Sequence, residues 1–203
     1  MSKLAWIWLM GLLAGLLLAR PLAAQQAETV PDFSLKDETG KVYTLSAWAD
    51  SQVVVVIFTS SNCSWATKYG TRLNALHEKY GPKGVAFVAI NSNDPSISQL
   101  ETAARMGEVL SLRFPYLKDE TQQVAKQFKA TKNPEVVVLI PRNKQFEVAY
   151  RGKIDDNPLD ENAIKANYLQ NTLENLLAGK KPDTPSTPPS GCNIRWIGTV
   201  SGQ

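Results

Sequence analysis

Val53-Val54-Val55-Val56-Ile57-Phe58, running on through Thr59-Ser60-Ser61-Asn62 to Cys63, is the stretch on which the fold turns. Its first six residues are all apolar and mostly β-branched, with no alternation. Such a run suits a strand buried on both faces, at the centre of a parallel or mixed sheet. The pattern then becomes helical from Ser64 to Tyr80, with Leu73, Leu76 and Tyr80 at helical spacing, until Gly81-Pro82-Lys83-Gly84 stops it. Cys63 therefore sits between a central strand and the start of a helix.

The flanking sequence repeats the theme. Val85 to Ile90 and Glu135 to Ile140 read as two further buried strands. Between them the spacing predicts a turn at 91–95, a helix from Ser96 to Leu110, a short edge strand over Phe114–Leu117 and a helix over Thr121–Phe128. Pro141 to Lys144 predicts a hairpin turn into a strand over Phe146–Arg151. A last helix is expected from Asp160 to Ala178, with Gly179 as its cap. Upstream, Pro31 to Leu35 predicts an opening strand and Lys41 to Leu45 a second. Strands alternating with helices, then a hairpin and a helix, give an α/β fold: a central mixed β-sheet flanked by helices.

The chain has 203 residues, 43% hydrophobic and 20% charged, which excludes a disordered chain and a disulfide-dense miniprotein. Lys3, the apolar stretch Leu4–Ala19, Arg20-Pro21 and Ala23-Ala24 have the layout of a secretory signal peptide over residues 1–24. The alternative is a membrane anchor over residues 4–19, but a helix of that length spans about 24 Å against a roughly 30 Å hydrocarbon core. Either reading predicts an exported domain, periplasmic or extracellular, where disulfides persist. Without Lys3 and Arg20 the chain carries 20 basic and 19 acidic residues, so no electrostatic footprint for nucleic acid exists. Residues 25–180 are expected to form one domain. Residues 181–203 read as a proline-rich tether (Pro182, Pro185, Pro188, Pro189) and a cysteine-bearing tail. Ile194, Trp196 and Ile197 predict that the tail docks back on the domain.

Cys63 carries the strongest chemical signal. A helix N-terminus offers free N–H groups and a positive dipole end, which favour the reactive thiolate. Position alone leaves a structural cysteine equally open. His77, the only histidine, is expected on a solvated face, and Met106 in the core. A copper site from Cys63, His77 and Met106 is a remote alternative; the sequence calls for no cofactor. Asp155-Asp156 is expected to form a local charge network with Arg151 and Lys153.

Several motifs resemble the redoxin branch of the thioredoxin-like superfamily, the group of alkyl hydroperoxide reductases and thiol-specific antioxidant proteins. Pro31-Asp32-Phe33-Ser34-Leu35 is similar to its P-x-F-x-L start, and Phe58 to Cys63 to its active-site loop. Gly84 to Asp94 is similar to its second strand and turn, and Asn133-Pro134-Glu135-Val136 to its T-P-E-V element. Tyr150 to Asp156 and Gly191-Cys192-Asn193-Ile194 resemble elements of exported redoxins. The likeness spans residues 30 to 196. It implies a thioredoxin-like fold with an N-terminal strand extension, and thiol–disulfide or thiol–peroxide chemistry at Cys63. Ser60 stands where a C-x-x-C motif has its first cysteine, so exchange within the motif is impossible. The S-x-x-C spacing matches peroxiredoxins, in which the hydroxyl bonds the sulfur. Yet Ser64 replaces their proline, and Lys132-Asn133-Pro134 lies where their arginine is expected.

The resemblance further implies a cis-Pro134 facing Cys63, with the backbone at Asn133 pairing with substrate. Cys192 is the candidate resolving partner. A disulfide between these two cysteines closes a loop of about 130 residues, with roughly 4–5 kcal/mol of chain-entropy stabilisation. That figure equally suits a permanent clasp in a non-enzymatic binding or assembly module, and two unpaired thiols are a third option. The partners implied are an external thiol reductant and a protein disulfide or peroxide.

Overall fold

The computed structural model describes residues 27–199, so the signal peptide expected over residues 1–24, or the anchor over 4–19, lies outside the described residues. The strands are β1 (Thr29–Val30), β2 (Ser34–Asp37), β3 (Val42–Thr44), β4 (Val53–Phe58), β5 (Val85–Asn91), β6 (Tyr116–Lys118), β7 (Lys132–Asn133), β8 (Glu135–Arg142), β9 (Gln145–Gly152) and β10 (Cys192–Asn193). The helices are α1 (Ser64–Lys68), α2 (Gly70–Tyr80), α3 (Gly107–Leu110), α4 (Gln123–Gln127) and α5 (Tyr168–Leu177). Eight strands form one sheet in the order β1-β9-β8-β4-β5-β6-β2-β3, and β10 pairs with β7 apart from it. β4 runs parallel to β5 and antiparallel to β8, so the sheet is mixed, as the valine run predicts.

β4 explains its own composition. Val53, Val55 and Ile57 face a core layer with Leu73 and Tyr80 of α2 and Leu169 and Leu173 of α5. Val54, Val56 and Phe58 face the opposite layer, with Phe33, Leu45, Val124 and Phe128. No residue of β4 is free to be polar.

Several local expectations need correction. The helix from Ser64 to Tyr80 is two helices broken at Tyr69, where Gly70 lies so close to the Leu110 carbonyl that a Cβ would sit 2.7 Å from its oxygen. The segment Ser96–Leu110 is not one helix but two 3₁₀ turns, Pro95–Ile97 and Gln99–Glu101, followed by α3. Asp94 and Ser98 cap those turns with their own side chains, which competes with a continuous helix. The strand expected at an edge is interior, because β2 pairs with the far side of β6. The last helix begins at Tyr168, after a 3₁₀ turn at Glu161–Ala163. Gly179 has φ +73 and ends it as expected.

Two polar assignments also change. His77 is not on a solvated face: its ring meets Phe87 and Phe114 at centroid distances of 5.6 and 5.3 Å. Cys63 is joined to Cys192, Met106 is buried in the core, and among the described residues no group of three or more His, Cys, Asp or Glu side chains is placed to hold a metal ion. Asp155 pairs with Arg72 rather than Arg151 or Lys153, and accepts the Tyr69 hydroxyl at 2.8 Å. Arg151 instead reaches Glu28 and the Phe128 carbonyl. Asp155→Asn is expected to lower unfolding stability by about 2 kcal/mol, because a charge-assisted buried pair becomes a neutral one. Urea unfolding measures it, and a loss under about 0.5 kcal/mol would mean the pair is solvated.

Candidate active site

Cys63 sits where the sequence places it. It is 1% exposed and caps α1 with extended backbone. The helix behind it is five residues long, so its dipole contributes less to thiolate stability than a long helix would. Cys63 is disulfide-bonded to Cys192, with Cα atoms 6.0 Å apart, inside the range a disulfide requires. The Asn133-Pro134 bond is cis, and the Asn133 carbonyl oxygen lies 3.2 Å from Cys63 Sγ. A disulfide sulfur has no proton, so this is a contact; a Cys63 thiol could donate to that oxygen.

The tail reaches this place by two anchorages. Thr187 of the tether docks on β9: its N–H donates to the Arg151 carbonyl, and its hydroxyl oxygen accepts from Lys153 N–H, both at 2.9 Å. Gly152 (φ +139) leaves room for it, since a Cβ there would overlap Thr187. The tether is thus a docked segment rather than a free spacer. Beyond Gly191, Cys192 pairs antiparallel with Asn133 and Asn193 with Lys132. Ile194 is 3% exposed in the core layer beneath, and its N–H donates to the Thr131 carbonyl at 3.0 Å. Trp196 is half-buried, whereas Ile197 docks by its backbone alone, its N–H donating to Gln122 Oε1 at 2.8 Å while its side chain is 56% exposed.

Ser60 departs from its expected place on the sulfur. Its hydroxyl donates to Glu101 Oε1 at 2.5 Å and accepts from Asn62 N–H at 3.2 Å and Asn93 Nδ2 at 2.9 Å. One donor and two acceptors exhaust a hydroxyl. Glu101 is wholly buried. It also accepts from Asn62 N–H and Asn93 Nδ2 through Oε1, and from Asn91 Nδ2 at 2.7 Å through Oε2. Asn93 links both sides of the site, since its Oδ1 accepts from Asn133 Nδ2 at 3.1 Å and from Arg195 N–H at 2.9 Å. The loop that carries Cys63 and the tail that carries Cys192 therefore share one hydrogen-bond network.

Sequence reasoning missed Glu101, Asn91 and Asn93. The turn expected at 91–95 does form, with Asn93 N–H donating to Asn91 Oδ1 at 3.1 Å, but Asn91 still belongs to β5 and Asn91, Ser92 and Asn93 are all buried. Three polar residues directly after a fully buried strand were the available signal. Glu101 had none, because its segment was assigned to a helix.

Lys118 is the cation of this layer, 3% exposed, with Nζ donating to the Asn93 carbonyl at 2.6 Å and to Asn91 Oδ1 at 3.2 Å. Burial lowers its pKa below the usual 10.5, against the opposing pull of Glu120, Glu101, Asp119 and Asp94. The folded chain therefore sheds this proton before the unfolded chain does. Lys118 should add stability as pH rises from its folded pKa towards 10.5. Buried Tyr69, Tyr116 and Tyr150 are shifted upward and act in the opposite sense as they ionise late. The readout is thus the difference between wild type and Lys118→Met in urea unfolding from about pH 8 to 10.5. A difference that does not change with pH would contradict the assignment.

The AhpC/TSA family profile matches residues 27–157. The chain belongs to the AhpC/TSA family. A hypothetical protein from Sinorhizobium meliloti 1021 superposes with TM-score 0.77 at 30% identity, over 85% of this chain and 95% of that one. The thiol-disulfide oxidoreductase ResA of Geobacillus kaustophilus is 26% identical over 138 residues, 68% of this chain and 76% of that protein. Chloroplastic peroxiredoxin Q of Populus jackii is 27% identical over 103 residues, 51% of this chain and 46% of that relative, so the chain spans under half of its length. The fold is thioredoxin-like, and the relatives of known chemistry are thiol-dependent oxidoreductases.

Proposed function

We propose that the protein is an extracytoplasmic thiol–disulfide oxidoreductase in which Cys63 is the attacking sulfur and Cys192 the resolving one. The observation that carries this reading is the Cys63–Cys192 disulfide on the Asn133-cis-Pro134 edge, made by a short tail held elsewhere by Thr187. A Cys63 thiolate attacks one sulfur of a partner disulfide, and the other partner sulfur leaves as a thiolate. Cys192 then attacks Cys63 Sγ, closing the internal disulfide and releasing the first partner sulfur. The partner gains two electrons and the protein loses them, so an external thiol reductant must return the pair to the dithiol.

The same geometry supports disulfide exchange over peroxide reduction. A bound peroxide needs hydrogen-bond donors at the sulfur. Here the Ser60 hydroxyl, the donor that the resemblance places at the sulfur, is turned to Glu101, and the Asn133 carbonyl oxygen, an acceptor, lies against Cys63 Sγ. Ser60 contributes by holding the loop, and Asn133-Pro134 by presenting the pairing edge. The leader-like residues 1–24 and the use of both cysteines in a disulfide support export. Among the described residues no helix is long and apolar enough to cross a membrane.

The test is stoichiometric. Fully reduced protein is mixed with either a disulfide-bonded polypeptide or hydrogen peroxide, and thiols are trapped over time. The expected result is rapid transfer of two electrons to the polypeptide disulfide, with peroxide oxidising Cys63 only at the rate of an ordinary thiol. Fast peroxide consumption with no exchange would overturn the reading in favour of a peroxidase.

A further inference from the structure

The tail does more than bring a second sulfur. It lies on the edge as a strand, in register, and each of its residues from Gly191 to Arg195 meets a specific feature of the domain. Gly191 has φ +140, and a Cβ there would overlap the Asn133 carbonyl oxygen and crowd Pro134. Only glycine lets the chain enter so close. Cys192 stands opposite Asn133 and Asn193 opposite Lys132. Ile194 fills an apolar position among the core side chains, and Arg195 is held by backbone alone: N–H to Asn93 Oδ1, and carbonyl oxygen from Asp94 N–H at 2.9 Å and Gln122 Nε2 at 2.8 Å. The side chains of Asn193 and Arg195 are exposed, and the side-chain bond that Asn193 makes, accepting from Lys132 Nζ through Oδ1 at 2.5 Å, lies at the surface where it selects weakly. The edge therefore reads glycine, cysteine, any residue and an apolar residue, in that order.

Building on the redox reading above, we propose that this tail is an internal stand-in for the partner. The partner is an extended polypeptide segment of the type Gly-Cys-x-Ile, which pairs with Lys132–Asn133 after the tail has swung away. Main-chain pairing supplies affinity and the glycine and apolar positions supply selectivity, as in other strand-addition sites. Substrate and tail need the same edge. The tail that closes on Cys63 therefore also excludes the released segment, and resolution becomes product expulsion. Thr187 keeps its own anchorage on β9, so only the short stretch after it has to move, and Cys192 stays at high effective concentration.

The experiment uses the full chain carrying Cys192→Ser, which leaves Cys63 as its only thiol. The probe is a synthetic peptide with the sequence of residues 189–197, its cysteine activated as a chromogenic mixed disulfide. Three controls carry the same activating group: the peptide with alanine in place of its glycine, a scrambled peptide of identical composition, and free cysteine. Transfer to Cys63 is expected to be about tenfold faster from the native peptide than from the alanine or scrambled peptide, a difference worth one to two hydrogen bonds. Adding Ile194→Asp to the protein, which unseats its own tail, should speed the native peptide further by removing a competitor. Equal rates for all three peptides would overturn the stand-in proposal while leaving the redox reading intact. No reaction with any probe, free cysteine included, would overturn the redox reading and this proposal together.

Discussion

Cys63→Ser is expected to abolish reduction of a polypeptide disulfide, a loss of at least about a thousandfold, or ~4 kcal/mol of barrier. A hydroxyl cannot attack a disulfide sulfur at neutral pH, and Cys192 alone has no partner to resolve it. Cys192→Ser should behave differently. Cys63 would still form a mixed disulfide, and it would accumulate as a covalent adduct instead of turning over. The two variants lose the same internal disulfide, so they share its effect on stability, a loss of up to roughly 4–5 kcal/mol by chain entropy. Their contrast in adduct formation therefore isolates chemistry from folding. Intact-mass measurement after mixing with a disulfide-bonded polypeptide reads it directly. Identical behaviour of the two variants, with no adduct from either, would mean that Cys63 is only half of a clasp.

Glu101→Ala is expected to be the most damaging single change away from the sulfurs, lowering stability by about 4 kcal/mol. Removing the carboxylate leaves the buried Ser60 hydroxyl with no acceptor and takes one bond each from Asn62 N–H and the amides of Asn91 and Asn93, which keep only Ser60 Oγ or the Tyr116 hydroxyl. Each orphaned buried donor costs about 1–3 kcal/mol, less whatever water enters the space. Glu101→Gln keeps one acceptor but turns an N–H₂ group towards some of the same donors, so it should cost about half as much. Urea unfolding of the three proteins ranks them. A Glu101→Ala protein within about 1 kcal/mol of wild type would show that the network is dispensable. Because Asn93 also holds Asn133 and Arg195, loss of Glu101 should loosen the tail as well as the loop.

The fold was legible where the physics is one-dimensional. β4, β5 and β8 are buried on both faces, so their sequences are continuous apolar runs that any window reveals. Gly179 and the β8–β9 hairpin were legible because turn geometry restricts residue type, and Asn143 and Lys144 do take positive φ. The region 96–110 was not legible, because Asp94 and Ser98 cap short turns that a helical periodicity conceals. β6 read as an edge because its second partner, β2, lies some 80 residues upstream.

The site divides in the same way. Cys63 and Cys192 stood out by residue type, Asn133 and Pro134 only through the family resemblance, and all four come together along one edge. Ser60 was in the right loop, but its partner could not be read. Glu101 is 41 positions from Ser60, and only the fold brings the two within hydrogen-bond distance. His77 and Asp155 failed for a related reason. Local neighbours suggested solvent and Arg151, whereas Phe87, Phe114 and Arg72 are supplied by other elements.

The central claim is that Cys63 and Cys192 exchange electrons in normal function. The measurement closest to it is the reduction potential of this pair, obtained by equilibrating the protein in graded thiol buffers, alkylating and weighing. A working pair is expected between about −120 and −270 mV, the range of catalytic exchange proteins. A potential below about −300 mV would contradict the account and make the tail a permanent clasp.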